Sequence, residues 1–301
     1  MKKRVFVTGA TGYIGGSVAL KLCQAGFQVT GLTRTAEGAA GLRALGISPF
    51  IGTLNDYGPL IQAAKEADIV VNAADSDHTF AVTTLLTALE GSGKTFVHTS
   101  GSSIVGDKAA GNTAPKVYQE EIIEPLPEKL ARVAIDRTVL AAAHRGIRSI
   151  VICPSLIYGT GHGIHKESIQ VPWLIDLALE RGAACHIGKG ENVWSNVHID
   201  DLVELYLLAV EHAPAGSFFF AENGEASMKE VGEAINRAFE LGPATEMMSL
   251  DEAIKRWGPE AAHFAFGSNS RVRSTKARKM LGWNPKGASL LEEIEKGCCQ
   301  K

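Results

Sequence analysis

The chain has 301 residues, 45% of them hydrophobic, and a formal net charge of −3. This composition is typical of a globular fold, and the length allows one large domain or two unequal ones. The small net charge argues against a nucleic-acid or membrane surface, and no apolar stretch approaches the roughly 20 residues that span a bilayer. The basic start MKKRVFVTG leads at once into a strand pattern, unlike a signal peptide.

The cysteines indicate the redox state of the compartment in which the protein folds. They are odd in number and scattered, and no CxxC spacing occurs among them: Cys23, Cys153, Cys185, Cys298 and Cys299. We interpret them as free thiols in a reducing compartment rather than as metal ligands. The sequence therefore predicts a cytoplasmic protein without a metal site.

Strand and helix patterns alternate through the first half of the chain. Strands are predicted at 4–8, 27–33, 47–51, 68–73, 94–99 and 147–153, and helices near 13–25, 37–45, 57–66, 78–91 and 127–145. Strands separated by helices of this length build a parallel sheet through right-handed crossovers. The pattern predicts an α/β fold, a Rossmann-type doubly wound parallel sheet, whose ligands bind at the carboxyl ends of the strands.

The regular alternation of predicted strands and helices ends after Pro154. Helices are predicted near 171–182, 197–212, 227–240, 249–257, 274–282 and 289–297, and short strands near 184–187 and 218–221. We predict a dinucleotide-binding domain over residues 1–155, with 196–213 packing back onto it. Residues 156–195 and 214–301 are predicted to form a smaller substrate-binding region.

The segment VFVTGATGYIGG, from Val5 to Gly16, is the strongest functional signal. An apolar strand is followed by Gly9, Gly12 and Gly15 and then by an amphipathic helix. Glycine lets the backbone turn sharply and approach a pyrophosphate, which the helix N-terminus attracts. The order of strand, glycine turn and helix predicts a nicotinamide dinucleotide site, the alternative being a tight turn without a ligand.

Arg34 indicates which dinucleotide the site prefers. It follows the second strand as Thr33-Arg34-Thr35, with no acid beside it. A carboxylate there would bind the ribose hydroxyls of NAD, whereas a cation accommodates the 2′-phosphate of NADP. We expect NADP(H), with NAD(H) as the weaker ligand; the alternative is a solvated surface arginine. The predicted cofactor contacts lie at the turns and strand ends: Gly9, Thr11, Gly12, Tyr13, Ile14, Gly15, Arg34, Thr53, Leu54, Ala73, Ala74, Thr99, Pro154 and Leu156.

Four motifs resemble the extended branch of the short-chain dehydrogenase/reductase superfamily, the NAD-dependent epimerase/dehydratase family. They are TGATGYIG at 8–15, PSLIYG at 154–159, NVHIDDL at 196–202 and LGWNP at 281–285. They span nearly the whole chain. The resemblance implies the same fold, a nicotinamide cofactor and a small-molecule substrate.

The catalytic pattern departs from that family, whose members carry a YxxxK pair after the fifth strand. The tyrosine position falls on Glu128 and the lysine position on Arg132, and Cys153 replaces the arginine of RPxxxYG. The chain therefore looks like an atypical member without the dyad. By the resemblance, Arg132 takes the place of the residue that holds the nicotinamide ribose. Asp75 or Asp77 is a candidate for the aspartate that some atypical members carry.

Candidate catalytic residues are Ser100 and Ser102 after the fifth strand, Tyr158 in the following loop, and Arg132. The serines could hold a substrate oxygen, or could simply satisfy backbone groups in a turn. Predicted substrate contacts are Asp75, Ser103, Tyr158, His162, Ser168, Gln170 and Arg271. By the resemblance, Arg271 matches a segment that contacts substrate, often a nucleotide sugar; the alternative is a basic surface run.

Two functions remain open from the sequence. The first is an NADPH-dependent reductase or epimerase/dehydratase that acts on a small carbonyl or hydroxyl substrate. The second is a non-catalytic NADP-binding regulator that senses redox state. The missing YxxxK pair favours the regulator, whereas the preserved loop at Tyr158 and the complete C-terminal region favour the enzyme. We expect a small-molecule partner; whether the chain forms a homodimer stays open.

Overall fold

A computed structural model describes residues 2–120 and 123–297. Its central element is a seven-stranded sheet. The strands of this sheet are β1 (Arg4–Thr8), β2 (Gln28–Thr33), β3 (Ser48–Ile51), β4 (Ile69–Asn72), β5 (Thr95–Thr99), β6 (Arg148–Pro154) and β10 (Ser217–Ala221). Five further short strands are β7 (Leu156–Tyr158), β8 (Cys185–Ile187), β9 (Val193–His198), β11 (Glu225–Ser227) and β12 (Glu246–Met248).

All seven strands of the large sheet are parallel, in the order β10-β6-β5-β4-β1-β2-β3. The chain winds outward from β1 through β2 and β3, then returns to β4 on the other side of β1. The strand order therefore reverses between β1 and β4, and in open parallel sheets the crevice at such a reversal binds the ligand. The carboxyl ends of β1, β4, β5 and β6 meet at this edge.

Helices cover both faces of the sheet. They are α1 (Tyr13–Gln24), α2 (Ala36–Ala44), α3 (Tyr57–Glu66), α4 (Thr79–Leu89), α5 (Leu130–Ala141), α6 (Gln170–Arg181), α7 (Ile199–His212), α8 (Met228–Ala238), α9 (Leu250–Ala261), α10 (Thr275–Leu281) and α11 (Leu290–Lys296). Apolar side chains of α1, α2 and α7 form the core on one face. Those of α3, α4 and α5 form the core on the other. Burial on both faces explains why the strands are nearly continuous apolar runs.

A third core lies beyond the large sheet. It is built from α6, α8, α9 and α11 with the short strands, which form a sheet in the order β11-β9-β7 and a β12-β8 pair. The division into a cofactor domain and a smaller region stays a prediction. One part of it needs correction, because Ser217–Ala221, assigned to the smaller region, pairs with β6 as the edge strand of the large sheet.

The predicted elements differ from the structure mainly around the third core. The helix predicted from Val197 begins at Ile199, because Val197 and His198 end β9 and pair with β7. Strands β7, β9, β11 and β12 were missed, since each is short and lacks a sustained alternation. Cys23, Cys153 and Cys185 are free thiols, as predicted, whereas Cys298 and Cys299 lie outside the described residues. In the described part of the chain, no helix has the length and apolar character of a membrane span.

Helix α9 breaks near its end. Gly258 has a φ of +82°, a conformation that side chains other than glycine rarely adopt, and Pro259 lacks the amide that would continue the helix. The chain then re-enters a helical path and closes with a wide π-type turn over Ala262–Phe266. The break and the wide turn redirect this segment toward the carboxyl edge of the large sheet.

A buried carboxylate at the start of α7 holds the C-terminal segment in place. Asp201, in the first turn of α7, is 7% exposed and accepts hydrogen bonds from the amides of Lys286 (2.6 Å) and Gly287 (2.9 Å). Its backbone carbonyl accepts from the indole of Trp283 at 2.8 Å. These bonds position the segment that carries the chain from α10 into α11.

We expect Asp201→Ala to lower the free energy of unfolding by about 2–3 kcal/mol, because two amides lose a buried, charged acceptor. Urea denaturation of the variant and the wild type measures the loss. The exposed neighbour Asp200 provides the matched control, and Asp200→Ala should change stability by less than about 1 kcal/mol. Equal losses in the two variants would contradict this role for Asp201.

Candidate active site

The glycine turn packs directly against the end of β4. Gly9 has a φ of +71°, and a Cβ built on it would lie 2.5 Å from the carbonyl oxygen of Ala73. A Cβ on Gly15 would lie 2.4 Å from the carbonyl oxygen of Gly9. Only glycine fits at these two positions, so the sequence motif is explained by close backbone approach.

The first turn of α1 follows this loop. Gly12 is the N-cap residue and offers no side chain to its amides. Arg34 is exposed at the end of β2, and the small Ala73 and Ala74 follow β4. An uncapped helix N-terminus, a neighbouring cation and a flat strand end fit the pyrophosphate and adenosine of a dinucleotide. The geometry of the described residues is therefore compatible with the predicted cofactor.

Several other predicted cofactor residues make hydrogen bonds within the protein or are partly or fully buried. The Tyr13 hydroxyl donates to the carbonyl of Gly159 at 2.8 Å, and the amide of His165 donates to that of Thr11 at 3.4 Å, so both residues hold the loop that follows β7. Thr99 is hydrogen-bonded to Tyr206 at 2.6 Å. Three further residues are Thr53 and Leu54 after β3, which are half-buried, and Leu156 in β7, which is 1% exposed.

A cavity of about 470 Å³ opens at the carboxyl ends of β5 and β6. Serines line it together with several aromatic side chains, which we call the aromatic wall. The lining residues are Ile14, Ser100, Gly101, Ser102, Ser103, Pro154, Ser155, Ile157, Ile169, Gln170, Trp173, Trp194, Trp257, Glu260, Ala261, Phe264, Ala265 and Phe266. We call it the serine cavity. It includes five predicted site residues in addition to Ile14: Ser100, Ser102, Ser103, Pro154 and Gln170.

A chain of buried polar groups runs under the sheet edge to this cavity. Thr8 donates its hydroxyl proton to the Asn72 oxygen at 2.6 Å, and the Asn72 amide donates to Nδ1 of His98 at 3.1 Å. Nε2 of His98 therefore carries the proton and faces Oδ1 of Asp136 at 3.7 Å. The other carboxyl oxygen, Oδ2, lies 2.7 Å from the Ser100 hydroxyl.

Burial controls the ionisation of this chain. Asp136 is 3% exposed, and its burial raises the carboxyl pKa to about 7, against the opposing effects of the Ser100 hydrogen bond and the Arg132 charge. Burial lowers the pKa of His98 to about 4 and raises that of the Cys153 thiol. Near pH 6 the histidine and the thiol are thus neutral and the carboxyl holds its proton. Such a carboxyl can donate a hydrogen bond or a proton near neutral pH.

Arg132 is held at the rim of the cavity. Its Nε donates to Asp77 at 2.8 Å, its Nη2 contacts the same carboxylate, and its Nη1 donates to the Ser103 hydroxyl at 3.1 Å. The guanidinium holds the pKa of Asp77 below its ordinary value. Asp75 instead accepts from the amide of Asp77 at 2.9 Å and closes a turn. Of the two aspartates considered from the sequence, Asp77 is the one that contacts the site.

Glu128, at the family's tyrosine position, and Tyr158 lie away from the serine cavity. The Glu128 carboxylate is exposed and paired with Lys108, which lowers its pKa. The Tyr158 hydroxyl donates to the carbonyl of Ala288 at 2.7 Å, and burial raises the pKa of this hydroxyl well above its ordinary value. The catalytic role predicted for Tyr158 is therefore wrong in geometry, because its hydroxyl is engaged in joining β7 to the C-terminal segment.

The predicted substrate contacts of the smaller region lie at different places in the structure. His162 is exposed and paired with Asp200, and Ser168 lines a different cavity, of about 440 Å³, together with Tyr158. Arg271 is ion-paired with Glu225 at 2.6 Å. Only Gln170, at the start of α6, reaches the serine cavity. These residues therefore do not form one substrate site.

Within the described residues, 2–120 and 123–297, no tyrosine lines the serine cavity. The chain has five tyrosines, and none of Tyr13, Tyr57, Tyr118, Tyr158 or Tyr206 is among the residues that line it. The site does not hold a tyrosine–lysine dyad. The predicted loss of the dyad agrees with this arrangement.

A family model described as the NAD dependent epimerase/dehydratase family matches residues 5–219. The chain belongs to this family. The predicted family and the predicted Rossmann-type fold are thus confirmed, as is the predicted class of NAD(P)-dependent oxidoreductase or epimerase/dehydratase.

Relatives extend over nearly the whole chain. An oxidase from Acremonium sp is 31% identical over 98% of this chain and 96% of its own. A 4-hydroxy-2-methyl-3-oxo-4-farnesyl-3,4-dihydroquinoline-1-oxide ketoreductase from Stigmatella aurantiaca is 26% identical over 93% and 91%. The dTDP-glucose 4,6-dehydratase of Bacillus anthracis in complex with NAD shares the fold, with a TM-score of 0.76 at 18% identity over 97% of this chain and 95% of that one.

Within this epimerase/dehydratase fold, sequence reasoning missed Asp136 and the aromatic wall. Asp136 lies one turn beyond Arg132 on α5, so it shares the helix face that Arg132 presents. That spacing from a known site position was the available signal. The aromatic residues come from α6, β9 and the end of α9, far apart in the chain, and no local pattern connects them.

Asp136→Asn should remove part of the pH dependence of stability. The folded-state pKa of about 7 is above the ordinary value of 3.8, so the wild type loses stability as pH rises from about 4 to about 7. This difference corresponds to about 4 kcal/mol. Asparagine cannot ionise, and we expect the variant to gain stability relative to the wild type at pH 8 compared with pH 5.

Denaturant unfolding at both pH values measures the effect. Asp176→Asn, on the exposed side of α6, is the control and should follow the wild type at each pH. If Asp136→Asn has the same pH dependence as the wild type, the carboxyl titrates normally and our account of its burial is wrong.

Proposed function

We propose that this protein is an NADP(H)-dependent oxidoreductase that reduces a carbonyl group, or oxidises the corresponding hydroxyl, of a small molecule in the serine cavity. The observation that carries the proposal is the Ser100–Asp136 hydrogen bond of 2.7 Å, placed at the cavity wall beside the glycine turn. It supplies a hydroxyl backed by a carboxyl whose pKa is about 7, at the strand end where the family binds its cofactor.

NADP(H) is the proposed cofactor because of the charge at the end of β2. Arg34 is exposed there, while its neighbour Thr35 is used as the N-cap of α2 and accepts from the amide of Gly38 at 3.0 Å. Arg34 is therefore the group suited to a 2′-phosphate. When bound, the nicotinamide supplies or accepts the hydride.

The residues of the cavity account for the proton. In reduction, the carbonyl carbon takes the hydride and the carbonyl oxygen takes the hydroxyl proton of Ser100. Ser100 regains a proton from Asp136, and water reprotonates the Asp136 carboxylate after the product leaves. Ser103, which accepts from Arg132, can donate its own proton in a hydrogen bond to the same substrate oxygen. The alcohol formed contains one hydride and one proton more than the carbonyl.

Relatives support this direction of chemistry. The Stigmatella aurantiaca relative is a ketoreductase and the Acremonium relative an oxidase. Both names describe a redox reaction: a ketoreductase reduces a ketone, and an oxidase oxidises its substrate. We assign the reductase or dehydrogenase direction to the serine cavity in preference to epimerisation.

A non-catalytic NADP-binding regulator is the second candidate. The absence of a tyrosine from the described lining of the serine cavity is the observation that favours it. The two candidates differ in one measurable respect: the enzyme oxidises NADPH when a carbonyl substrate is present, and the regulator binds NADP without turnover. A broad panel of aldehydes and ketones, followed by NADPH absorbance, distinguishes them.

The cofactor preference is tested on Arg34. The wild type should bind NADP about tenfold or more tightly than NAD, because a charge-assisted phosphate contact contributes about 1.5–3 kcal/mol. Arg34→Ala should lose most of that preference while keeping its affinity for NAD. Calorimetric titration measures both cofactors, with Arg43→Ala on α2 as the control. Equal affinities in the wild type would contradict NADP specificity.

The proton path is tested by the pH profile of reduction. The wild-type rate should fall as pH rises through about 7, because the Asp136 carboxyl must hold a proton. Asp136→Asn and Ser100→Ala should each reduce kcat by about 10²-fold or more, and Asp136→Asn should also lose the fall near pH 7.

Asp68→Asn, at the opposite edge of the sheet, is the matched control and should keep the wild-type profile. Restoration of the pH-dependent limb by Asp136→Glu would separate proton supply from packing. A wild-type profile retained in Asp136→Asn would show that another group provides the proton.

A further inference from the structure

We infer that the substrate of the serine cavity is an uncharged carbonyl compound that carries a planar ring system, and not a nucleotide sugar. This inference rests on the proposed function and specifies its substrate class. It depends on two independent features of the cavity, the aromatic wall and the neutralisation of the nearby cations.

The aromatic wall lines the same cavity as the serines. It consists of Trp173 on α6, Trp194 on β9, Trp257 on α9, and Phe264 and Phe266 in the turn that follows. The ring centroids of Trp257 and Phe266 lie 4.4 Å apart at 42°, and those of Trp173 and Phe266 lie 6.4 Å apart at 43°. Tilted rings at these separations form an angular surface against which a flat ring can stack or pack edge-on.

Part of the hydrogen-bonding capacity of the wall is already used within the protein. The indole N–H of Trp194 already donates to the carbonyl of Ser268 at 2.9 Å. Phe264 packs against Lys129, whose ammonium lies 4.3 Å from the ring centroid. Sugars require donors and acceptors around several hydroxyls, whereas this side of the cavity presents ring surface. The polar groups are concentrated at the serine end, where one carbonyl oxygen would bind.

The charges argue against a diphosphate. Within the described residues, Glu260 is the one charged side chain in the lining, and it is paired with Lys129. Arg271, considered from the sequence as a nucleotide-sugar contact, is bound by Glu225, which also pairs with Arg273 at 3.1 Å. A diphosphate carries two or more negative charges, so burying it here would leave them without a cation.

The aromatic wall and the charge distribution favour the same class of substrate. The serine end provides hydrogen bonds for a single oxygen, and Arg132 lies behind Ser103. The aromatic wall provides flat apolar contacts, and the one charged side chain in the described lining, Glu260, is paired with Lys129. A ring-bearing ketone or aldehyde satisfies both ends of the cavity, with its carbonyl toward Ser100 and its rings between Trp173 and Trp257.

Equilibrium dialysis of the NADP⁺-saturated protein tests the substrate class without turnover. Three probes are compared: 2-acetonaphthone, 2-dodecanone with the same number of carbon atoms but no ring, and UDP-glucose. We expect 2-acetonaphthone to bind at least about tenfold more tightly than either of the others. Trp173→Ala and Trp257→Ala should each weaken its binding by about three- to tenfold, the range of aromatic pair energies.

Phe80→Ala is the matched control, because Phe80 is 72% exposed on α4 and outside the cavity lining. Trp173 is 40% exposed, so its replacement should leave the fold intact, and thermal melting checks each variant. Preferred binding of UDP-glucose, equal binding of the two ketones, or unchanged affinity in both tryptophan variants would overturn the inference.

The outcome separates this inference from the proposed function. If the protein binds NADP and oxidises NADPH with other carbonyl compounds but does not prefer 2-acetonaphthone, the substrate class is wrong and the oxidoreductase stands. If 2-acetonaphthone binds at the wall but no carbonyl compound is reduced, the cavity takes ring compounds and the proposed catalysis fails.

Discussion

The hydrogen bond between Ser100 and Asp136 connects the end of β5 to helix α5, and the arrangement of the site depends on it. A carboxyl that is 3% exposed would be costly to bury as an anion, and its protonation near neutral pH reduces that cost. The proton then becomes available at the cavity wall. The carboxyl whose protonation makes its burial tolerable is thus the same group that we propose as the proton source of the site.

The site combines parts with different origins in the fold. The glycine turn, the strand ends and α5 belong to the large sheet, where Gly9 and Ala73 approach closely. The aromatic wall comes from the third core, and its last part depends on the break at Gly258 and Pro259. The serine cavity exists because the segment after this break returns over the carboxyl edge of the sheet.

The alternating pattern of the first half was sufficient to predict six of the parallel strands, because buried strands and crossover helices leave strong local signals. The glycine motif likewise predicted the tight turn between β1 and α1, where Gly9 approaches Ala73 closely. The site was harder to predict, since Tyr158 carries a family motif yet turns its hydroxyl toward Ala288. Asp136 gains its altered pKa only from tertiary burial, and the tryptophans meet only after folding. Neither property is encoded in a local spacing.

The break in α9 has a consequence for how this protein can diversify. The proposed cofactor end of the site, at Arg34, is built by the first strands and helices, while three of the five wall residues, Trp257, Phe264 and Phe266, come from one short stretch. The residues proposed to select the cofactor and those proposed to select the substrate thus lie in separate parts of the chain. Exchange of residues 250–266 would replace three wall residues together and leave the glycine turn and Arg34 as they are.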